Sequence, residues 1–352
     1  MNNPNQSLSS DEQFYMPFVN YRALKNIESA HQKVKYILSS LKLMPPRPIL
    51  DNLNDRTRFS YFESVTSTKN VKYFIKIKLF EDKYINNYFY KNKVLGDALR
   101  NNPLQKLNHY TPSLIEGTQD YLLYKYAQGN NYGNRYYYQP SFIVMNDLPK
   151  LFQIINAVNE FPISLLPKNY EVHGWPYMMF HIYKEGEITQ REIEYKELFT
   201  SREYSFISSL FYNKKLEQIV KTNSYNLSHN DFQPTNFINR DTFIQIVDWD
   251  NSGIDHKFYD LVKFYIVHYR KRKIQKVIFD FALQNVAKTK EDKVIFFASL
   301  IARSMVECTA LMKEEKINLL NHHKTMILKQ EILKTRIMDT KYWIAQLSTL
   351  LQ

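Results

Sequence analysis

The chain has 352 residues, of which 44% are hydrophobic and 15% aromatic; this excludes a mainly disordered polymer and leaves room for two lobes, each with its own core. A single cysteine, Cys308, with no CxxC partner, excludes an intramolecular disulfide and a cysteine-based zinc site. The formal net charge of +12 attracts phosphates and anionic surfaces, but it is spread over dispersed lysines. Its sharpest cluster, Arg270-Lys271-Arg272-Lys273, comes with no nucleic-acid motif, so no nucleic-acid partner is expected.

Leu24, Ile27, Ala30, Val34, Ile37, Leu38 and Leu41 follow helical spacing behind a polar leader, and Met44-Pro45-Pro46-Arg47-Pro48 closes that helix. Residues 1–45 are therefore expected to form a leader and N-terminal helix. From Ile49 to Phe80 the character is β-branched and aromatic, with strands predicted over Thr57–Thr66 and Val71–Phe80 around a turn at Ser67–Asn70. A helix is predicted over Asp82–Arg100 and a strand over Asp120–Tyr126, so residues 46–125 read as a small antiparallel β-rich lobe. Residues 126–352 read as a larger helical lobe. Its helices are predicted at Asn146–Glu160, Gln190–Val220, Asp260–Arg272, Ile274–Val286, Asp292–Glu315 and Lys329–Leu351, with one inserted hairpin from Asn236 to Asp248. No run of about 18 uncharged apolar residues occurs, and the polar start MNNPNQSLSSDEQ lacks the basic and apolar regions of a signal peptide. A soluble cytoplasmic protein with no membrane span is expected.

The chemistry concentrates in His229-Asn230-Asp231-Phe232-Gln233-Pro234-Thr235-Asn236 and, after the hairpin, Asp248-Trp249-Asp250. Magnesium prefers hard oxygen ligands and keeps some waters, so one Asn with one or two Asp is a sensible protein contribution. A tight turn at Arg240-Asp241 would set Asn236 level with Gln245 and leave Asp248 about three residues past its partner. Asp231 would then supply a base while Asn236 and Asp248 hold metal. His229 is expected to brace the loop, because Asp231 already fills the base position; Asp250 is open between a further metal-shell carboxylate and a solvated charge.

His229-x-Asp231-x-x-x-x-Asn236 followed by Ile246-Val247-Asp248-Trp249-Asp250 resembles the catalytic and metal motifs of the aminoglycoside phosphotransferase and choline kinase family. Upstream, Tyr73-Phe74-Ile75-Lys76 resembles the strand lysine that contacts nucleotide phosphates, and Tyr124 to Gly129 resembles the hinge, whose backbone at Lys125 and Ala127 would bind adenine. Downstream, Phe258-Tyr259-Asp260-Leu261 resembles the segment whose aspartate braces the catalytic loop. The resemblance implies a bilobal α+β, protein-kinase-like fold. It implies a phosphotransferase that uses ATP or GTP with Mg2+, the nucleotide lying between the lobes, and acts on a hydroxyl of a small-molecule acceptor. In that scheme Asp231 is the base, Asn236 and Asp248 bind metal, and Lys76, Lys125 and Ala127 bind nucleotide.

Period-two alternation puts Lys76 and Lys78 on one strand face, and only the motif spacing favours Lys76. Two departures from the family pattern stand out. No glycine precedes Gly96, so a phosphate-covering turn near Asn54–Arg58 would have to use Asn54, Asp55 and Thr57. The helix after Lys76 has no acid between Lys83 and Gly96, which leaves Glu81, Asp82 or Asp97 to pair with the lysine. A weakly active or inactive nucleotide-binding scaffold is the alternative. Tyr136-Tyr137-Tyr138 and Trp175 are candidates to line the acceptor pocket, with ordinary packing as the competing role.

Overall fold

The computed structural model describes residues 27–55, 60–81, 83–133, 142–170, 198–214, 216, 218–219, 225–240, 242–316 and 323–351. The chain divides into two compact units, Met1–Leu104 with Pro112–Gln128, and Gln105–Thr111 with Gly129–Gln352. Tyr136-Tyr137-Tyr138, Trp175 and the polar leader lie outside the described residues.

The first unit is built on an antiparallel sheet of order β1-β2-β3-β5-β4, with β1 Leu43–Met44, β2 Ser60–Ser67, β3 Lys72–Lys78, β4 Leu114–Gly117 and β5 Tyr121–Lys125. The β2–β3 turn closes on Asn70, whose φ of 58° is left-handed backbone that asparagine tolerates. Alternation along β3 sends Ile75 and Ile77 into one layer with Tyr61 and Val65. The helix Ile27–Ser40 covers that layer with Ala30, Val34, Ile37 and Leu38. Burial of each of its larger apolar side chains stabilises the unit by roughly 1.5–3 kcal/mol, so this helix belongs to the core of the first unit. The helix Lys83–Asn101 packs with β4 and β5 through Ile85, Phe89, Leu114 and Leu122.

Two expectations for this unit need correction. β1 and β4 add short strands that composition did not signal. A helix, Ile49–Asp55, occupies the segment taken for strand and for the start of the phosphate-covering turn; Pro48 opens it by accepting the N–H groups of Asp51 and Asn52, and residues 56–59 of that turn lie outside the described residues.

The second unit is mainly helical, with helices Leu148–Asn159, Ser201–Tyr212, Tyr259–Val267, Arg272–Phe281, Lys290–Lys316 and His323–Leu351. It carries more β structure than its one predicted hairpin. β7 (Tyr225–Ser228) pairs antiparallel with β10 (Gly253–His256), and β6 (Asn130–Asn131) pairs with β8 (Phe237–Asn239), which also pairs with β9 (Ile244–Ile246). Gly129, ahead of β6, has φ 148°, and a Cβ there would lie 2.0 Å from the Asn239 carbonyl oxygen; only glycine fits that approach. Three residues of the basic cluster are engaged within the unit. Arg270 meets Glu331 at 3.5 Å, Arg272 meets Asp339 at 2.9 Å, and Lys271 donates to the Ile143 carbonyl at 2.7 Å.

The hairpin register also differs from the expected one. Phe237 faces Ile246 and Asn239 faces Ile244, so Asn236 stands level with Val247, whose N–H it accepts at 2.9 Å. The chain reverses one residue later than predicted, because Arg240 N–H donates to the Phe243 carbonyl at 2.9 Å and extends the ladder by one more pair. Asp248 therefore lies one residue past the partner of Asn236.

Candidate active site

The loop from His229 to Asn236 follows β7 and leads into β8, and aromatic packing anchors it from beneath. Phe232 is fully buried and meets Phe237 and Phe264 with ring centroids 4.7 and 5.5 Å apart. With Phe232 fixed in the core, Asp231 is held at the rim, its side chain 22% exposed.

Three groups converge on the Asp231 carboxylate. Oδ2 accepts Gln233 Nε2 at 2.8 Å and Asn236 Nδ2 at 2.9 Å, and the Lys263 ammonium stands 3.8 Å from Oδ1. Asn236 Nδ2 donates also to the Asp231 backbone carbonyl at 2.8 Å. With the amide nitrogen of Asn236 committed to Asp231, its Oδ1 is the atom suited to a cation.

His229 is fully buried and does brace the loop. Its Nε2 lies 2.9 Å from the Val247 carbonyl, while Nδ1 accepts the Asp231 N–H at 3.3 Å. These contacts require a neutral ring protonated on Nε2, and they tie the Asp231 loop to the residue before Asp248. The Trp249 ring packs on this histidine at 4.6 Å between centroids. Asp248 is exposed in left-handed conformation (φ 67°, ψ 63°) at the start of the turn Trp249–Asn251. Asp250 is buried, which removes the solvated-charge role for it.

Asp260, in the first turn of the helix Tyr259–Val267, accepts the backbone N–H groups of His229 and Asn230 at 2.7 and 2.8 Å. Burial pushes its carboxyl above the usual carboxylate range, opposed by the backbone N–H donors of His229 and Asn230. The side chain thus braces the loop, as its place in the motif implied.

In the first unit, Lys76 and Lys78 are both buried on β3. Glu81 bonds Lys78, at 2.8 Å, and Lys78 also donates to Asn86 Oδ1 at 3.0 Å; the Lys78 hydrogen bond holds the Glu81 carboxyl below its ordinary range. Glu81, one of the acids expected near Lys76, thus bonds Lys78, three residues before it in the chain, and Asp82 lies outside the described residues. Asp97 is taken by Lys93 and Arg100 of its own helix, both at 2.6 Å. At the predicted hinge the Lys125 N–H is donated to the Ser113 carbonyl at 2.9 Å, so the carbonyl is the group that Lys125 can offer a base. Ala127 is half-buried.

Gln233 and Lys263 were absent from the sequence-derived site. Gln233 is two residues from Asp231, and Lys263 follows Asp260 by three positions on a predicted helix; that spacing puts both on one face and was the available signal. Among the described residues no group of three His, Cys, Asp or Glu is placed to hold a metal. A cation here would rely on Asn236, Asp248, water and phosphate oxygens, a set that suits magnesium.

No protein-family model and no curated protein sequence matches the chain, whereas solved structures do. An amicoumacin kinase solved with AMP-PNP and Ca2+ superimposes with a TM-score of 0.52 at 14% identity, covering 90% of this chain and 96% of that one. An ethanolamine kinase of Plasmodium vivax gives 0.52 at 12% identity over 96% and 95%. An ADP-bound aminoglycoside phosphotransferase gives 0.50 at 13% over 88% and 98%. At these identities the likeness speaks to the fold: the resemblance carried by the His229–Asp250 motifs extends to nearly the whole chain, which has the α+β, protein-kinase-like fold of these structures.

Proposed function

We propose that the chain is a phosphotransferase that moves the γ-phosphate of ATP or GTP to a hydroxyl of a small-molecule acceptor in the cytoplasm, with Mg2+ as the metal. The orientation of Asn236 carries this reading. Its amide nitrogen is spent on Asp231, its oxygen is left for a cation, and the Val247 N–H to Asn236 carbonyl bond puts Asp248 at the next position across the hairpin. One loop thus offers a base and a metal-binding oxygen side by side, which is what alignment and charge neutralisation in phosphoryl transfer require. The AMP-PNP and Ca2+ of the amicoumacin kinase and the ADP of the aminoglycoside phosphotransferase support an adenine nucleotide with a divalent cation here.

In this scheme Asp231 Oδ2 is held by two amide donors and Oδ1 receives the acceptor proton. The acceptor oxygen forms its bond to the γ-phosphorus as the bond to the nucleoside diphosphate breaks. Asn236 and Asp248 hold the metal, which supplies charge neutralisation on the phosphates. Lys76 steadies the phosphates, and the Lys125 carbonyl and the Ala127 backbone bind the base. A second reading, a nucleotide-binding protein of weak or no turnover, is favoured by the lack of an acid between Lys83 and Gly96, where the family pattern places one.

The test is nucleoside diphosphate release from ATP and GTP with Mg2+ over a panel of amino-alcohols, sugars and aminoglycosides, in wild type and Asp231→Asn. Release in wild type that Asp231→Asn abolishes supports the phosphotransferase. Magnesium-dependent nucleotide binding with no release moves the conclusion to the second reading, and an active wild type matched by Asp231→Asn removes Asp231 as base.

A further inference from the structure

The helix Tyr259–Val267 grips the catalytic loop twice. Asp260 takes two backbone N–H groups at its first turn, and one turn on, Lys263 sends its ammonium to within 3.8 Å of Asp231 Oδ1. Lys263 is 1% exposed, and a buried ammonium costs several kcal/mol unless anions face it. Its placement at the one carboxylate oxygen that Gln233 and Asn236 leave untouched is therefore a specific feature of the site.

We propose that Lys263 is a positioning residue for the proposed base: it fixes the Asp231 carboxylate in one orientation and supplies the countercharge at Oδ1, the oxygen that receives the acceptor proton. This rests on the assignment of Asp231 as base. Lys263 is neither a metal ligand nor a nucleotide contact in the scheme, so it acts through Asp231. Next to the pair, Tyr259 is influenced by Asp231, Asp255 and Asp260 and its hydroxyl accepts from Arg303 of the helix Lys290–Lys316 at 3.3 Å, while Asp260 accepts the His229 N–H. None of the hydrogen bonds described for these groups reaches Asp231 Oδ1. Lys263 alone supplies the cation there among the described contacts.

The experiment measures ADP release from Mg-ATP with water as the acceptor, across pH 5 to about 9, in wild type, Lys263→Met, Lys263→Arg and Asp231→Asn, with thermal unfolding of each. Lys263→Met is expected to lower kcat about 10- to 100-fold while the KM for Mg-ATP stays within about twofold, since an interaction that serves the transition state is lost. Lys263→Arg keeps the cation and is expected to recover most of the rate. Lys263→Met with the wild-type kcat overturns the proposal. So does equal loss in Lys263→Met and Lys263→Arg that follows their loss of thermal stability, because that marks a packing role. Asp231→Asn separates the two ideas. If it is silent, the base assignment fails; if it is inactive while Lys263→Met is silent, only the Lys263 role fails. A wild type that binds Mg-ATP and releases no ADP, either with water or with any acceptor of the panel, overturns both.

Discussion

Asp260 Oδ1 accepts the backbone N–H of Asn230 at 2.8 Å, at a position where Asn230 holds a left-handed φ of 62°. Asparagine is among the few residues that adopt this conformation readily, and the turn it makes sends Asp231 outward while His229 stays in the core. The second oxygen of Asp260 secures His229 in the same way. Asp260→Ala leaves two amides that have lost a charged acceptor, one of them on a fully buried residue, at a cost of about 2–4 kcal/mol. Urea unfolding should show a lower midpoint with an unchanged slope. Nucleotide turnover should fall by more than stability alone predicts, because the proposed base, Asp231, is released along with the fold.

The motif spacing assigns the phosphate contact to Lys76 rather than to Lys78. Lys78 is committed to Glu81 and Asn86, which fits a structural role in joining β3 to the start of the helix Lys83–Asn101. Lys76→Met is therefore expected to weaken Mg-ATP binding by about tenfold or more, the scale of one lost charge-assisted contact. Lys78→Met is expected to change nucleotide affinity less than about threefold and mainly to lower the unfolding midpoint. Calorimetric titration of both variants decides between them; the reverse ranking assigns the phosphate contact to Lys78.

Asn236 is proposed to serve both the metal and the base, so its removal should show in two observables. Asn236→Ala deletes an oxygen ligand and one of the two donors to Asp231 Oδ2. The magnesium concentration for half-maximal turnover should rise about 10- to 100-fold, the range typical when a metal site loses supporting groups, and the maximal rate at saturating magnesium should still fall short of wild type. A full recovery at high magnesium would show that the contact with Asp231 is dispensable.

The proposed catalytic loop was legible because its residues are local: His229, Asp231, Asn236 and Asp248 fall within twenty residues, and their types suggest the roles proposed for them. What it rests on was less so. β7 finds its partner β10 some twenty-five residues away, and β6 finds β8 across about a hundred, so the pairing of these short segments is set by tertiary contacts. The hairpin register was misjudged because Arg240 to Phe243 lacks the Asn-Gly type of signal that fixes a two-residue turn. The partner of Lys78 was readable from spacing, since Glu81 is three residues from it, but family analogy drew attention to Lys76. Lys263 sits in a largely apolar helix, and only its distance from Asp260 marks the face it shares.

Acid sensitivity follows from histidines that are buried and neutral. His268 is 2% exposed, with Nδ1–H donating to the Phe264 carbonyl at 2.7 Å, and burial lowers its pKa to about 4. The folded value lies below the unfolded one, about 6.5. As pH falls below about 6.5 the unfolded chain takes up a proton that the folded chain refuses, so stability drops until the folded ring itself titrates near 4. Between pH 7 and 5 this one residue should cost about 2 kcal/mol. His256, lowered by burial to about 3, acts in the same direction. Asp255 and Asp260, both raised by burial, act in the opposite one, because their folded forms hold protons more tightly than the unfolded chain. A comparison with His268→Asn isolates the histidine, since asparagine keeps a donor for the Phe264 carbonyl and cannot titrate. Urea midpoints at pH 7 and 5 should show the wild type losing about 2 kcal/mol more than the variant. Equal losses would show that His268 is protonated in the folded protein at pH 5, which its buried position and its single hydrogen bond to Phe264 argue against.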